Sequence, residues 1–172
     1  VADRGAVATG VDTEATGLAL AHQMLAAPRN MRLLQADATR LPFLGSSFDR
    51  VLLVDVVEHL VDPDPCLSEI GRMLAPAGQL LVTTPKWRPG KMWDEANHVR
   101  EYRPEELADQ LRTFFNDVSL SFFIPACWWQ IRRRLGKVLI RTWSKYLYNP
   151  FLREGGHADG FCHILAVCAD PR

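Results

Sequence analysis

Titratable side chains follow three apolar runs in the first half of the chain. Asp12 follows "AVATGV", Asp37 follows "MRLLQA", and Asp55, Glu58 and His59 follow "RVLLV". Buried strands avoid charge, so acids gathered at their ends indicate a ligand site. Carboxylates accept hydrogen bonds from hydroxyl and amino groups, and imidazole exchanges protons near neutral pH. One acid in such a place is most often a cap, so the repeated pattern favours a binding edge.

These residues sit in a regular alternation of strand-like and helix-like segments. The strand-like segments are "AVATGVD", "MRLLQAD", "RVLLVDVV" and "QLLVTTP", followed later by "DVSLSFFIP" and "FCHILAVCAD". The helix-like segments are Thr13 to Ala27, "DPDPCLSEIGRMLAPAG" and "RPEELADQLRTFF". Strand–helix alternation predicts an α/β fold with a doubly wound, mostly parallel sheet and helices on both faces. Ligands of such sheets bind at the carboxyl ends of the strands, where the acids fall.

Length and composition predict one ordinary globular domain spanning residues 1–172. The 20 basic residues balance the 20 acidic ones, so overall charge gives no support to nucleic-acid binding. No apolar run is long enough to span a bilayer. The cysteines form no C-x-x-C pair, which argues against a zinc knuckle or redox motif and predicts reduced thiols in a cytoplasmic protein. They are Cys66, Cys127, Cys162 and Cys168.

A basic, tryptophan-containing stretch separates the last two predicted strands, within an insertion at residues 126–160. Helical spacing gives residues 128–146 an apolar stripe beside a cationic one. The apolar stripe is Trp128, Ile131, Leu135, Val138, Thr142 and Tyr146, and the cationic stripe is Arg134, Lys137, Arg141 and Lys145. Cations beside tryptophans indicate contact with a membrane surface or an amphiphilic substrate. A lid with solvated cations is the alternative, and nucleic-acid backbone contact is the less favoured one.

Several motifs in order resemble one enzyme family. "TGVD", "QADATRLPFLGSSFDRVLLVDVVEHL" and "EIGRMLAPAG" resemble the class I S-adenosylmethionine-dependent methyltransferases of the ubiquinone/menaquinone-biosynthesis-like branch. The resemblance runs from Ala6 to Leu107, and Ala77 stands where the family pattern has a glycine. It implies a Rossmann-like fold with an antiparallel last strand. It also implies methyl transfer from S-adenosylmethionine to a small-molecule or lipid-like acceptor.

The same resemblance implies a role for each strand-end residue. Asp12 is expected to accept hydrogen bonds from the two ribose hydroxyls of S-adenosylmethionine. Asp37 is expected to accept one from the adenine amino group, with backbone contact from Ala38. Val54 and Asp55 are expected to border the methionine part of the cofactor.

Two histidines are candidates for the catalytic base. His59 and His98 titrate near neutral pH when unperturbed, which suits proton removal from an acceptor hydroxyl. A purely local structural role for His59 is an equally good interpretation. The spacing D-x-x-E-H with a distant histidine is also similar to E-x-x-E-H sites of small-RNA 2′-O-methyltransferases and ubiquinone O-methyltransferases. That similarity implies, as a secondary hypothesis, a divalent cation held by Asp55, Glu58, His59 and His98.

The chain departs from the family pattern at its beginning. The family's first strand and glycine-rich loop should precede Ala6, where only "VADRG" stands. We therefore expect this chain to be part of a longer protein and to bind S-adenosylmethionine weakly by itself. A catalytically impaired binding domain is one alternative. A nicotinamide-dependent oxidoreductase is the other, but it lacks G-x-G-x-x-G and leaves "LPF" and "EHL" unexplained.

Overall fold

A computed structural model describes residues 5–24, 30–88, 98–125 and 161–172. These residues form two sheets with helices and one 3-10 turn. In chain order the elements are β1 (Ala8–Asp12), α1 (Ala15–Met24), β2 (Met31–Gln35), β3 (Phe48–Val54), the 3-10 turn Val57–His59, α2 (Asp64–Met73), β4 (Leu74–Pro85), α3 (Pro104–Arg112), β5 (Phe115–Pro125) and β6 (Phe161–Pro171). The predicted basic helical insertion at 126–160 lies outside the described residues.

Strands β1 and β2 form a two-stranded parallel sheet, in register from Ala8 opposite Met31 to Asp12 opposite Gln35. Both strands were expected from the sequence, but both were expected to be buried. No residue of either strand is buried within the described chain. The same holds for α1, whose Leu20 is exposed. The helix contacts both strands, as expected of a helix packed on a sheet, and Leu18 is half-buried, but the described residues bury none of its side chains fully.

The larger sheet has the strand order β3-β4-β6-β5. Strands β3 and β4 are parallel, whereas β6 is antiparallel to both of its neighbours. The prediction of an α/β fold with an antiparallel last strand is thus confirmed. Helices α2 and α3 contribute to a core beneath this sheet. Its fully buried side chains include Leu67, Ile70, Leu80, Val82, Leu107, Leu111, Phe115 and Ile164.

Strand β3 is covered on one face only by the described residues. Leu53 is buried in the core, but Leu52 and Val54 are each 53% exposed. An uninterrupted apolar run such as that of β3 is typical of a strand covered on both faces. Side chains alternate along a strand, so Leu52 and Val54 share the face opposite Leu53, and no described element packs over it.

The α2–β4 junction differs in detail from the sequence prediction. The helix ends at Met73, and Leu74 already pairs with Phe48 of β3. Pairing continues at Gln79 opposite Arg50, so residues 75–78 loop out of the ladder. A Cβ at Gly78 would lie 2.9 Å from the carbonyl oxygen of Ala75, so the tight loop requires glycine there. The helix-like segment predicted from the sequence extends to Gly78, so its last five residues belong to β4 instead.

Two side chains of α2 that form a salt bridge also make hydrogen bonds with the segment that connects β2 to β3. Arg72 Nε donates to Glu69 Oε1 at 2.8 Å, and Arg72 Nη1 donates to the carbonyl oxygen of Phe43 at 2.8 Å. The backbone N–H of Leu41 donates to Glu69 Oε2 at 3.0 Å. We call Glu69 and Arg72 the α2 clamp. The clamp fixes the segment that begins with Asp37 against α2.

Two buried cysteine thiols have raised pKa values. Burial raises the pKa of the Cys66 thiol to about 11 and that of Cys168 to about 12, so both remain protonated at neutral pH. Among the helices described, none has the length and apolar character required to cross a bilayer.

Candidate functional site

Asp12 ends β1 at the carboxyl edge of the small sheet. Its carbonyl oxygen accepts a hydrogen bond from the N–H of Ala36 at 3.1 Å, which ties the ends of β1 and β2 together. Its Oδ1 accepts from the N–H of Glu14 at 2.9 Å, immediately before α1. A Cβ at Gly17 would lie 3.3 Å from Asp12 Oδ2, so glycine in α1 leaves room beside this oxygen. Asp12 is exposed, and Oδ2 stays accessible to a ligand.

Asp37 lies two residues beyond β2, at the same edge as Asp12. Its Oδ1 accepts from both the N–H and the Oγ1 hydroxyl of Thr39, each at 2.8 Å. These two hydrogen bonds lower the pKa of the Asp37 carboxyl, so it is ionised at neutral pH. Neighbouring Ala38 is half-buried and packs against the core. The loop therefore holds an exposed carboxylate on a fixed support.

Asp55 follows β3 in the left-handed region of backbone space, with φ of 50°. Its N–H donates to the carbonyl oxygen of Thr83 at 3.0 Å, and its Oδ1 accepts from the Thr83 hydroxyl at 2.9 Å. Non-glycine residues adopt this conformation uncommonly, and such residues are concentrated at functional sites. The preceding Val54 is largely exposed at the same strand end.

These three aspartates share a chemical pattern. Each uses one carboxylate oxygen in a local hydrogen bond within the described chain, and each is exposed. Asp37 also lies near the start of α2, because its charge adds to burial in raising the pKa of Cys66. The local caps are those expected of strand-end acids. The remaining oxygens at Asp12 and Asp37 are available to hydroxyl and amino groups of a ligand.

The 3-10 turn after Asp55 brings two more titratable residues to this end of the sheet. Ligand atoms of Glu58, His59 and His98 all lie within 4.8 Å of one another, and we call these residues the Glu–His–His cluster. The two imidazole rings meet edge to face with centroids 4.8 Å apart. The carbonyl oxygen of Glu58 accepts from the N–H groups of Val99 and Arg100, at 2.9 and 3.2 Å. These backbone bonds hold the segment that carries His98 against the turn.

Glu58 is the buried member of the cluster. Its side chain is fully buried, and its Oε2 accepts from the Thr84 hydroxyl at 2.9 Å. Its Oε1 is buried and has no hydrogen-bond partner in the described structure. Burial raises the pKa of the Glu58 carboxyl, because the charged form is poorly solvated there. His59 is exposed and His98 half-buried, so the cluster opens to solvent on its histidine side.

The structure brings together some of the residues singled out in the sequence and separates others. His59 and His98 are adjacent, as expected of two groups serving one site. Asp55 is bonded to Thr83 and is not part of the cluster, so the four-residue cation site proposed from the motif is reduced to three residues. Sequence reasoning missed Thr83 and Thr84 as carboxylate partners. Their signal was two adjacent hydroxyl residues closing the apolar run "QLLV".

Known proteins match this chain in sequence. Residues 1–82 match the family described as a methyltransferase domain. Demethylmenaquinone methyltransferase of Thermus thermophilus is 37% identical over 79 residues, covering 45% of this chain and 36% of the relative. A probable S-adenosylmethionine-dependent methyltransferase of Mycolicibacterium smegmatis is 34% identical over 118 residues, covering 66% and 44%. The matched segments amount to less than half the length of these relatives.

A solved structure matches the fold over nearly the whole chain. It is a SAM-dependent methyltransferase, possible histamine N-methyltransferase, from Thermotoga maritima, with a TM-score of 0.69 and 19% identity. The match covers 94% of this chain and 72% of that one. At this identity the likeness shows the Rossmann-like fold alone. Family match, relatives and fold agree in their similarity to class I S-adenosylmethionine-dependent methyltransferases, among them the ubiquinone/menaquinone-biosynthesis enzymes.

Proposed function

We propose that this domain transfers a methyl group from S-adenosylmethionine to a small, lipid-like acceptor. The observation that carries the proposal is the placement of exposed aspartates at or just beyond the carboxyl ends of strands in two parallel pairs: Asp12 and Asp37 in the β1–β2 pair, and Asp55 after β3, which is parallel to β4. Ligands of open α/β sheets bind at that edge. The relatives named above are methyltransferases, which favours methyl transfer over the nicotinamide-dependent alternative.

Asp12 and Asp37 are assigned to the nucleoside part of the cofactor. A carboxylate accepts hydrogen bonds from both hydroxyls of a ribose, and Asp12 has an accessible Oδ2 beside Gly17 for this purpose. Asp37 stays ionised at neutral pH and is suited to accept from the adenine amino group, with Ala38 beside it. Val54 and Asp55 are assigned to the methionine end, because they close the neighbouring strand.

His59 and His98 are assigned to the acceptor side. Bound S-adenosylmethionine supplies an activated methyl group on a sulfonium, which leaves as neutral thioether. The protein's task is to align the acceptor atom with that methyl and to accept the acceptor's proton. His59 lies four residues beyond Asp55 and is exposed, so its imidazole is placed to receive this proton. His98 packs edge to face against it and orients it.

The lipid-like character of the acceptor rests on the relatives and on the basic stretch 128–146. One relative is named a demethylmenaquinone methyltransferase, and the quinone that its name gives is an amphiphile. The stretch 128–146 combines tryptophans with cations, and we propose that it contacts the lipid surface from which such an acceptor is taken. Co-sedimentation with anionic vesicles tests this contact: lipid-dependent pelleting is expected, and its absence with both anionic and neutral vesicles contradicts it.

Calorimetric titration with S-adenosylhomocysteine tests the cofactor assignment. Binding to the chain of residues 1–172 is compared between the wild type and two variants. Asp12→Asn should weaken that binding about tenfold or more, because it removes a charge-assisted acceptor. The matched control is Asp49→Asn, an exposed aspartate at the opposite end of β3. Equal affinities for the two variants would contradict the assignment.

A further inference from the structure

The Glu–His–His cluster contains a buried carboxylate oxygen that nothing in the described structure satisfies. Glu58 Oε1 is buried and lacks a hydrogen-bond partner, while Oε2 is held by Thr84. Leaving a carboxylate oxygen buried and unsatisfied is costly, and native proteins rarely tolerate it without a ligand or ion. The ligand atoms of both histidines lie within 4.8 Å of the Glu58 carboxylate.

From this arrangement we propose that Glu58, His59 and His98 form a binding site for one divalent transition-metal ion. The ion would meet Glu58 Oε1 on its buried side and an imidazole nitrogen from each histidine. It would supply a partner for the buried carboxylate oxygen that has none in the described structure.

The local backbone supports such a site. Glu58 and His59 are consecutive on the Val57–His59 turn, and the N–H groups of Val99 and Arg100 fasten the His98 segment to the Glu58 carbonyl oxygen. Ligand atoms around a tetrahedral ion with bonds of about 2.1 Å are separated by about 3.4 Å. The present separations, at most 4.8 Å, exceed that spacing by at most about 1.4 Å. The hydroxyl group of Thr84 donates a hydrogen bond to Glu58 Oε2 and so orients the carboxylate that would bind the ion.

The donor set favours one class of metal. Two imidazoles and one carboxylate suit Zn²⁺, Co²⁺ or Fe²⁺, whereas Mg²⁺ and Ca²⁺ prefer oxygen donors alone. Three protein ligands leave a coordination position open, as in catalytic rather than structural zinc sites. His59 is exposed, so the open position faces solvent. On the proposed function, that position would bind the acceptor's hydroxyl group and lower its pKa, so that its proton would pass to solvent when the ion is bound. Proton removal by the His59 imidazole then applies to the metal-free domain, because a metal-bound imidazole nitrogen cannot accept a proton.

Titration of the chelator-treated chain with CoCl₂, followed by visible absorption, tests the site directly. We expect a d–d absorption band that saturates at one equivalent and is abolished by added ZnCl₂. His98→Asn and Glu58→Gln should each weaken Co²⁺ binding at least about tenfold, because each removes one of three ligands. His22→Asn is the matched control, since His22 is an exposed histidine of α1 outside the cluster.

Two outcomes would overturn the proposal: absence of a saturable band in the wild-type chain, or equal Co²⁺ affinity for His98→Asn and His22→Asn. Circular dichroism of each variant establishes that it is folded, and His59→Asn provides a second ligand variant if Glu58→Gln does not fold. Co²⁺ binding requires no S-adenosylmethionine, so it is independent of the cofactor assignment. Asp12→Asn should lose S-adenosylhomocysteine binding and retain Co²⁺ binding, which separates failure of one proposal from failure of the other.

Discussion

At the scale of single residues, the site is built from carboxylates in which one oxygen accepts a hydrogen bond within the protein and the other does not. Asp12 and Asp37 each bond one oxygen to the following backbone, which fixes the side chain and leaves the other oxygen outward. In Glu58, by contrast, the hydrogen-bonded oxygen and the unsatisfied oxygen are both buried. The outward pair suits a polar organic ligand, and the buried oxygen suits a cation. The same functional group therefore has two uses at one end of the sheet.

Gly17→Ala should separate ligand binding from stability. The new Cβ would lie 3.3 Å from Asp12 Oδ2, so it crowds the oxygen assigned to the ribose. Alanine is also favoured over glycine in a helix by up to about 1 kcal/mol. We expect S-adenosylhomocysteine affinity to fall several-fold while the free energy of unfolding is unchanged or higher. Gly71→Ala in α2 is the control, because its Cβ would meet only ordinary contacts and should leave affinity unchanged.

Thr84→Val should destabilise the fold more than Thr83→Val. Both threonines donate to a carboxylate at 2.9 Å, but Glu58 is fully buried whereas Asp55 is exposed. Water replaces the lost donor only at the exposed site. Urea unfolding at neutral pH should show a loss of about 1–3 kcal/mol for Thr84→Val and under about 1 kcal/mol for Thr83→Val. Equal losses for the two variants would contradict the expectation that burial of the acceptor carboxyl sets the cost of losing the threonine hydroxyl.

At the scale of elements, the α2 clamp links the strand-end loops to the core. Its contacts run from α2 to the backbone of Leu41 and Phe43, in the connection that begins with Asp37. Losing the clamp should therefore loosen the loop that presents Asp37. Hydrogen bonding to Arg72 lowers the pKa of the Glu69 carboxyl, so this interaction stabilises the fold above the ordinary pKa of 4.5 and fades as the pH falls through the lowered value.

Glu69→Gln should consequently destabilise the protein in a pH-dependent way. At pH 7 we expect a loss of about 1 kcal/mol, because the partly exposed pair is screened by solvent. The difference from wild type should narrow as the pH is lowered below 4.5. Denaturant unfolding between pH 3 and pH 7 measures both values. Asp109→Asn, which removes an exposed pair with Arg112 inside α3, is the control and should change stability little at any pH.

The order and type of the elements could be predicted from the sequence, but the cluster could not. Periodicity and breakers located β3, α3 and β6, because those signals are local along the chain. Glu58 and the segment of His98 are joined by backbone hydrogen bonds between the 3-10 turn and residues about forty positions later. No periodic pattern encodes such a contact. The hydrogen bond between Thr84 and Glu58 could not be predicted for the same reason, because it joins the end of β4 to the 3-10 turn.

At the scale of the whole molecule, burial divides the described chain into two parts. The β3-β4-β6-β5 sheet, α2, α3 and the segments that connect them hold the fully buried side chains of the described residues. The β1–β2 sheet and α1 hold no buried residue, which is why the sequence prediction of buried strands there was not met. The proposed cofactor edge spans both parts, with Asp12 and Asp37 on the small sheet and Asp55 on the large one.

Amide hydrogen exchange should report this division. Burial and contact density set the free energy of local opening, so α1, β1 and β2 should exchange faster than β4 and β6. Saturating S-adenosylhomocysteine should slow exchange in β1 and β2 because ligand binding stabilises the folded edge. Mass spectrometry of peptides covering β1 and β4 measures the contrast. Equal protection of both peptides without ligand would contradict the division.

The central claim is that the carboxyl ends of β1, β2 and β3 form the cofactor edge. Two-dimensional ¹⁵N–¹H NMR of the full chain, titrated with S-adenosylhomocysteine, tests it most directly. The account predicts chemical-shift changes at Asp12 and Gly17, at Asp37 to Thr39, and at Asp55. No chemical-shift change is expected at Asp49 or Asp117, which lie near the beginning of β3 and β5. That end of each strand is opposite to its carboxyl end. Shift changes confined to the Asp49 end of β3, with Asp12 and Asp37 unmoved, would contradict it.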